Sequence, residues 1–173
     1  MFKLLKLNFN IYDFLKKQMI KKNIIILDSI RSLNNIGSIF RTCDSFNIKK
    51  IILCGICGTP PNREINKTAL GATDFVEWEY HNNILDVIQS LKSLNYTVIS
   101  VEQREGSTDL QNYKPRKSEK LAFIFGNEVK GISSNTISNS DYCIEIPQYG
   151  QKKSMNVSIC VGIILWDAFL KQN

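Results

Sequence analysis

The sequence of 173 residues predicts one α/β domain, in which a mainly parallel sheet carries helices on both faces. Apolar runs of strand length recur along the chain, without the strict alternation of strands that face water on one side. Stretches with helical apolar spacing lie between these runs. Regular alternation of strands and helices is typical of a parallel sheet.

The predicted elements begin at residue 23. Strands are predicted over residues 23–28, 51–54, 96–101, 121–125 and 142–146. Helices are predicted over residues 36–46, 63–70, 84–94 and 155–170. Open sheets of this class bind ligands at the carboxyl ends of their strands, so we expect functional residues in the segments that follow the strands.

The last predicted helix is apolar on nearly all sides. It is shorter than a membrane helix, which needs about 20 residues, and Asp167 interrupts it. A helix that is apolar all round needs cover on every side, and one face of a sheet supplies only part of it. We therefore expect a second copy of the chain to cover the rest, and no membrane contact.

Composition and charge favour a globular protein with a polyanionic partner. Hydrophobic residues make up 43% and charged residues 22% of the chain, unlike a disordered or membrane protein. The net charge is +6, and residues 1–22 contain six lysines against one aspartate. We interpret residues 1–22 as a basic arm preceding a domain at 23–173. The alternative is a solvated helix or a frayed end.

The five cysteines favour a cytoplasmic protein with reduced thiols. Cys54 and Cys57 form a C-x-x-C pattern, which leaves a redox pair or half of a zinc site as alternatives. A structural zinc site needs four ligands, and no second C-x-x-C or paired-histidine motif occurs. We therefore predict burial of both thiols at a strand end and no metal.

Common nucleotide-binding motifs are absent from the sequence. No G-x-G-x-x-G pattern occurs, so the usual dinucleotide fingerprint is missing. Gly126 and Gly131 have the spacing of a phosphate-binding loop, but Ile132 occupies the position of its essential lysine. The sequence therefore argues against an NTPase.

Three polar clusters remain, and each follows a predicted strand. The first has Asn35 at a position suited to begin a helix by capping its free N–H groups. Taken singly, such residues are explained as helix caps, turn glycines or surface charges. At the same sheet edge they indicate a site. The clusters contain Asn34, Asn35, Gly37 and Arg41, then Gly126, Asn127, Glu128 and Gly131, then the loop of residues 146–157.

These clusters resemble the three motifs of the SpoU/TrmH family, within the SPOUT superfamily of knotted methyltransferases. The first motif, N-x-G with an arginine four residues later, matches Asn35, Gly37 and Arg41. The second, G-x-E-x-x-G-[LI], begins at Gly126 and the third, I-P followed by S-[LM]-N-V-S, begins at Ile146. Order and spacing agree over residues 23–170, with Met155 in place of the usual leucine.

The resemblance implies a deep C-terminal trefoil knot, an exception to the rule that folds are unknotted. It also implies a homodimer that forms through the knot and the C-terminal helix, and S-adenosylmethionine as cofactor. The cofactor contacts carried over from the motif loops and the end of the strand at 96–101 are Gly126, Ile146, Met155, Ser154, Ser100 and Val101.

The implied reaction is methyl transfer to a ribose 2′-hydroxyl of RNA, without a metal. Arg41 is the implied catalytic residue, but an arginine whose pKa exceeds about 12 is a poor base. We therefore expect Arg41 to hold the ribose and a neighbouring phosphate that shares the proton. Asn35, Glu128 and Asn156 would position Arg41 and shape the pocket.

The RNA is expected to be tRNA, with ribosomal RNA as the alternative. Some family members carry a separate RNA-binding domain, which is not seen here, and a catalytic domain with a basic arm resembles the tRNA-modifying members more. In that arm we expect Lys16, Lys17, Lys21 and Lys22 to contact phosphates. Methylation of a base nitrogen, a non-catalytic RNA-binding module and an unrelated nucleotide-binding protein remain as alternatives.

Overall fold

The computed structural model describes residues 22–152 and 154–172. This part of the chain contains seven strands and five α-helices, which alternate except where β4, β5 and β6 follow one another. In chain order they are β1 (Ile24–Asp28), α1 (Leu33–Ser45), β2 (Lys50–Cys54), α2 (Arg63–Ala69), β3 (Glu77–His81), α3 (Ile84–Ser93), β4 (Tyr96–Val101), β5 (Thr108–Asp109), β6 (Lys120–Phe125), α4 (Ser134–Asn139), β7 (Tyr142–Glu145) and α5 (Val157–Gln172).

The strands form one parallel sheet in the order β3-β2-β1-β6-β4-β7-β5. Successive residues of β1 point to opposite faces, so Ile25 joins a core cluster with α1, α2 and α5. Ile26 joins a second cluster with α3 on the other face. The predicted α/β class, with a mainly parallel sheet covered on both faces, is therefore confirmed.

Three elements were not predicted from the sequence, namely β3, β5 and α4. Strand β3 lies at the sheet edge and carries the polar side chains of Glu77 and Glu79, so it lacks an apolar run. Strand β5 has only two residues. Helix α4 has six residues with a single large apolar side chain, Ile137. Each is too polar or too short to give a periodic signal.

Helix α1 begins earlier than its sequence suggests. Ser32 is the N-cap, and its side chain accepts a hydrogen bond from the N–H of Asn35 at 3.3 Å. The expectation that Asn35 begins this helix is therefore wrong, because a serine three residues earlier already satisfies the free N–H group. The side chain of Asn35 is thereby left available for other contacts.

Helix α5 buries one side against the sheet and leaves apolar side chains exposed on another. Val161, Ile164 and Leu165 lie in the core. Ile159, Trp166 and Leu170 are 56%, 54% and 58% exposed, respectively. The expectation that one sheet face cannot cover this helix is therefore confirmed. Among the described residues, no helix is long and apolar enough to cross a membrane.

A buried amide pair joins the start of β1 to the end of α5. Asn23 is 1% exposed, and its side-chain nitrogen donates to the Gln172 side-chain oxygen at 2.8 Å. The side-chain oxygen of Asn23 accepts the Leu121 N–H at 3.3 Å, while Gln172 donates to the Glu119 carbonyl at 2.9 Å. These bonds fix the C-terminal end of α5 at the amino end of the sheet, opposite the strand ends that face the site.

Candidate active site

A cavity of about 440 Å³ opens at the carboxyl ends of β6, β4 and β7, three strands that lie side by side. Segments of the chain far apart in sequence meet there, as the sequence predicted. The predicted site residues that line the cavity are Asn35, Val101, Gly126, Glu128, Ile146, Ser154, Met155 and Asn156.

Glu128 connects the second cluster to the start of α1. Its carboxylate accepts the N–H groups of Arg31 and Ser32, both at 3.2 Å. It also accepts a hydrogen bond from the Asn35 side chain at 3.2 Å. Partial burial acts to raise the pKa of Glu128, but the hydrogen bonds from backbone N–H groups and from Asn35 outweigh it and lower that pKa. The carboxylate is therefore ionised near neutral pH.

The third cluster joins the same network through Asn156. The Asn156 side-chain oxygen accepts the Ser158 N–H at 2.8 Å and the Ser158 hydroxyl at 2.6 Å. This leaves its side-chain nitrogen to donate to the Asn35 side-chain oxygen at 3.1 Å. Asn35 thus accepts from Asn156 and donates to Glu128, so one chain of hydrogen bonds links all three clusters.

The loop after β6 is held by Asn127, which belongs to the second polar cluster but was assigned no individual role from the sequence. Its side-chain nitrogen donates to the Ser29 carbonyl at 2.8 Å, and its side-chain oxygen accepts the N–H groups of Val129 and Lys130 at 3.0 Å. A Cβ at Gly126 would lie 2.5 Å from the Gly131 carbonyl carbon, so only glycine fits this closed turn.

Arg41 and Ser100 do not line the cavity. Arg41 is exposed on α1, six residues after Asn35. Ser100 is fully buried, and its hydroxyl lies 2.8 Å from that of Ser140. At the end of this strand Val101 faces the cavity instead.

The basic arm lies almost wholly outside the described residues, and this includes Lys16, Lys17 and Lys21. Lys22 is described, and its ammonium group donates to the carbonyl oxygen of Lys117. Burial lowers the pKa of Lys22, and the charge of Glu119 only partly offsets this effect.

Two further carboxylates line the cavity, those of Glu102 and Glu145. Together with Glu128 they give it a negative lining, and none of its described lining residues is lysine, arginine or histidine. Sequence reasoning missed both residues because Glu102 directly follows an apolar strand, Glu145 lies within one, and neither belongs to the three polar clusters.

The C-x-x-C pair is buried, as predicted. Cys54 is 0% and Cys57 8% exposed. The Cys57 sulfur accepts the Ile30 N–H at 3.1 Å and donates to the Leu27 carbonyl at 3.2 Å. Burial raises the pKa of Cys57 to about 11, so its thiol is protonated. Over residues 22–152 and 154–172, no cluster of side chains suits a metal ion.

Comparison with known proteins gives consistent matches. The profile of the family described as SpoU rRNA Methylase matches residues 22–166. A tRNA (guanosine(18)-2′-O)-methyltransferase, TARBP1 of Mus musculus, is 31% identical over 150 residues, which are 86% of this chain and 9% of the mouse protein. An uncharacterized tRNA/rRNA methyltransferase of Borreliella burgdorferi is 31% identical over 160 residues, 91% of this chain and 68% of that protein.

A solved structure has the same fold. It is the crystal structure of an AdoMet-bound rRNA methyltransferase from Sinorhizobium meliloti, with a TM-score of 0.79 and 26% identity. The alignment covers 85% of this chain and 55% of that one. The chain therefore spans a small part of the mouse relative and about half to two thirds of these two bacterial proteins.

Proposed function

Given that the chain belongs to the SpoU rRNA methylase family, we propose that it transfers a methyl group from S-adenosylmethionine to a ribose 2′-hydroxyl of RNA. The observation that carries this proposal is the hydrogen-bonded chain from Asn156 through Asn35 to Glu128, at the edge of one cavity. It joins the three segments that the family motifs mark.

The lining of the cavity suits S-adenosylmethionine. Its volume of about 440 Å³ is within the usual range for a small-molecule site, roughly 300 to 1,000 Å³. Apolar side chains such as Ile146 and Met155 suit the adenine, and the backbone around Gly126 offers polar groups to its edge. The carboxylates of Glu128 and Glu145 complement a ligand whose sulfonium and ammonium groups are positive. When bound, this cofactor supplies an activated methyl group.

The residues of the chain would orient the acceptor and handle its proton. A ribose hydroxyl is a poor nucleophile that has to be aligned and deprotonated. The exposed guanidinium of Arg41 suits the ribose and an adjacent phosphate, to which it donates up to five N–H groups. That phosphate would share the proton, while Asn35, Glu128 and Asn156 fix the local geometry beside it.

We further propose that the C-terminal segment is threaded as a trefoil knot. Strand β7 lies between β4 and β5, and its Ile144 pairs with both Val101 and Thr108. The connection over residues 102–107 therefore passes across β7, before the chain returns to β6 on the other side of β4. Strand β7 comes later in the chain but lies inside this earlier connection. The arrangement supports a threaded chain, which would be an exception to the rule that folds are unknotted.

The exposed apolar side of α5 supports a homodimer through this helix and the knot. We expect Trp166→Glu to shift the protein from dimer to monomer, because it places a charge among apolar side chains that a partner would bury. Sedimentation velocity measures the change. Leu94→Glu is the control, since Leu94 is 56% exposed outside α5. A monomeric wild-type protein, or a dimeric Trp166→Glu variant, would contradict this interface.

We propose tRNA as the substrate, in the cytoplasm. The name of the mouse relative supports tRNA, and the five free thiols support a reducing compartment. Mapping of 2′-O-methyl positions in total RNA, from cells with and without the protein, tests the proposal. Loss of one ribose methylation in tRNA is the expected result. Loss of a base methylation, or no loss at all, would contradict the proposed reaction.

Lys16, Lys17 and Lys21 are proposed to hold RNA phosphates. Replacing all three by glutamine is expected to weaken RNA binding. It should also make the dependence of the log binding constant on log salt concentration less steep by about two to three, since each phosphate contact contributes roughly 0.7 to 0.9 to the magnitude of the slope. Titrations of labelled tRNA at several salt concentrations measure this slope. S-adenosylmethionine affinity should stay unchanged, and an unaltered slope would show that the arm does not contact RNA.

A further inference from the structure

We propose that Glu102 is a positioning residue that holds the loop of residues 126–132 in the shape required to bind S-adenosylmethionine. Glu102 directly follows β4 and lies outside the three motif segments. The inference rests on the proposed function, since it concerns the same cavity.

The carboxylate of Glu102 is bound to the loop from a neighbouring strand end. Its Oε2 accepts the Ile132 N–H at 2.7 Å, across 30 positions of sequence. The backbone N–H of Glu102 donates to the Ile144 carbonyl at 2.9 Å, which continues the pairing of β4 with β7. Glu102 therefore connects the loop after β6 to the strand that leads into the third motif.

The glycine of the second motif allows this contact. Gly131 has a φ of +66°, and a Cβ at this position would lie 2.5 Å from Glu102 Oε2. A side chain there would push the carboxylate away from the Ile132 N–H. The second motif thus requires glycine at residue 131 partly because Glu102 occupies the space beside it.

The hydrogen bonding of Glu102 indicates positioning rather than direct ligand contact. Its Oε2 is bound to Ile132, and its Oε1 accepts the Gln103 N–H at 3.2 Å. Both oxygens are thus engaged by backbone groups. A carboxylate suits this task, because hydrogen bonds to an ionised acceptor are roughly twice as strong as neutral ones.

The test compares Glu102→Ala with Glu102→Gln, whose carbonyl oxygen can still accept the Ile132 N–H. We expect Glu102→Ala to bind S-adenosylmethionine about 10- to 100-fold more weakly by calorimetry, and Glu102→Gln to stay within about fivefold of wild type. Hydrogen exchange of the Ile132 amide in the ligand-free protein should rise in the alanine variant only. Glu105→Ala, an exposed site in the same connection, is the matched control.

A second variant tests the coupling to Gly131. Gly131→Ala should weaken binding more in the wild-type background than in Glu102→Ala, where the displaced carboxylate is already absent. The inference would be overturned if Glu102→Ala bound S-adenosylmethionine with wild-type affinity, or if both Glu102 variants lost the same affinity. It would also be overturned if the effects of Glu102→Ala and Gly131→Ala on affinity were additive. Failure of the wild-type protein to bind S-adenosylmethionine would instead contradict the proposed function, and with it this role.

Discussion

Arg41→Ala is expected to abolish methyl transfer, a loss of about a thousandfold or more, and to leave the affinity for S-adenosylmethionine nearly unchanged. Arg41 is exposed on α1 and does not line the cavity, so its removal should spare the cofactor site. The proposed contacts of its guanidinium with ribose and phosphate would be lost, however. Mass spectrometry of methylated RNA measures turnover, and calorimetry measures cofactor binding.

Two variants serve as controls for Arg41. Arg41→Lys keeps the positive charge but lacks the planar guanidinium, so we expect it to retain only part of the wild-type activity. Arg63→Ala removes an exposed arginine from α2 and should behave as wild type. Turnover by Arg41→Ala at the wild-type rate would contradict the catalytic assignment. A parallel loss of cofactor binding would contradict the separation of Arg41 from the cavity.

Glu128→Ala is expected to lower methyl transfer about a hundredfold and to destabilise the fold by only about 0.5 to 1 kcal/mol, because water can replace the carboxylate at these exposed hydrogen bonds. The N–H groups of Arg31 and Ser32 would lose their acceptor, and the side chain of Asn35 would lose its orientation. Because the pKa of Glu128 is lowered in the folded protein, this stabilisation is present at neutral pH. It is lost in acid as the pH falls through that lowered value.

Denaturant melts and single-turnover rates measure the two effects of Glu128→Ala. The control is Glu77→Ala, which removes an exposed carboxylate from β3 at the far edge of the sheet. Glu128→Gln should fall between wild type and Glu128→Ala, because its amide retains one acceptor oxygen. An alanine variant with wild-type rate and stability would show that the network has no functional role.

The sequence predicted where the site lies better than how its side chains are held. Asn35, Glu128 and Asn156 all follow strands, and parallel strands end at one edge, so their proximity could be inferred. The role of Glu102 could not, because its contact with Ile132 depends on β4 pairing with β6 in one particular register. The position of Ser100 was not predictable for a similar reason. Side chains alternate along β4, so Ser100 points toward Ser140 while Val101 faces the cavity.

The two edges of the sheet bear on how the protein behaves at high concentration. An exposed, long and flat edge strand invites pairing with another molecule and leads to aggregation. Among the strands of the described residues, one edge is β5, with only two residues, and the other is β3, where Glu79 forms an ion pair with Lys50. Neither edge offers a long apolar template for strand addition. Fibrillar association is therefore disfavoured, and concentrated samples should stay free of intermolecular β-structure.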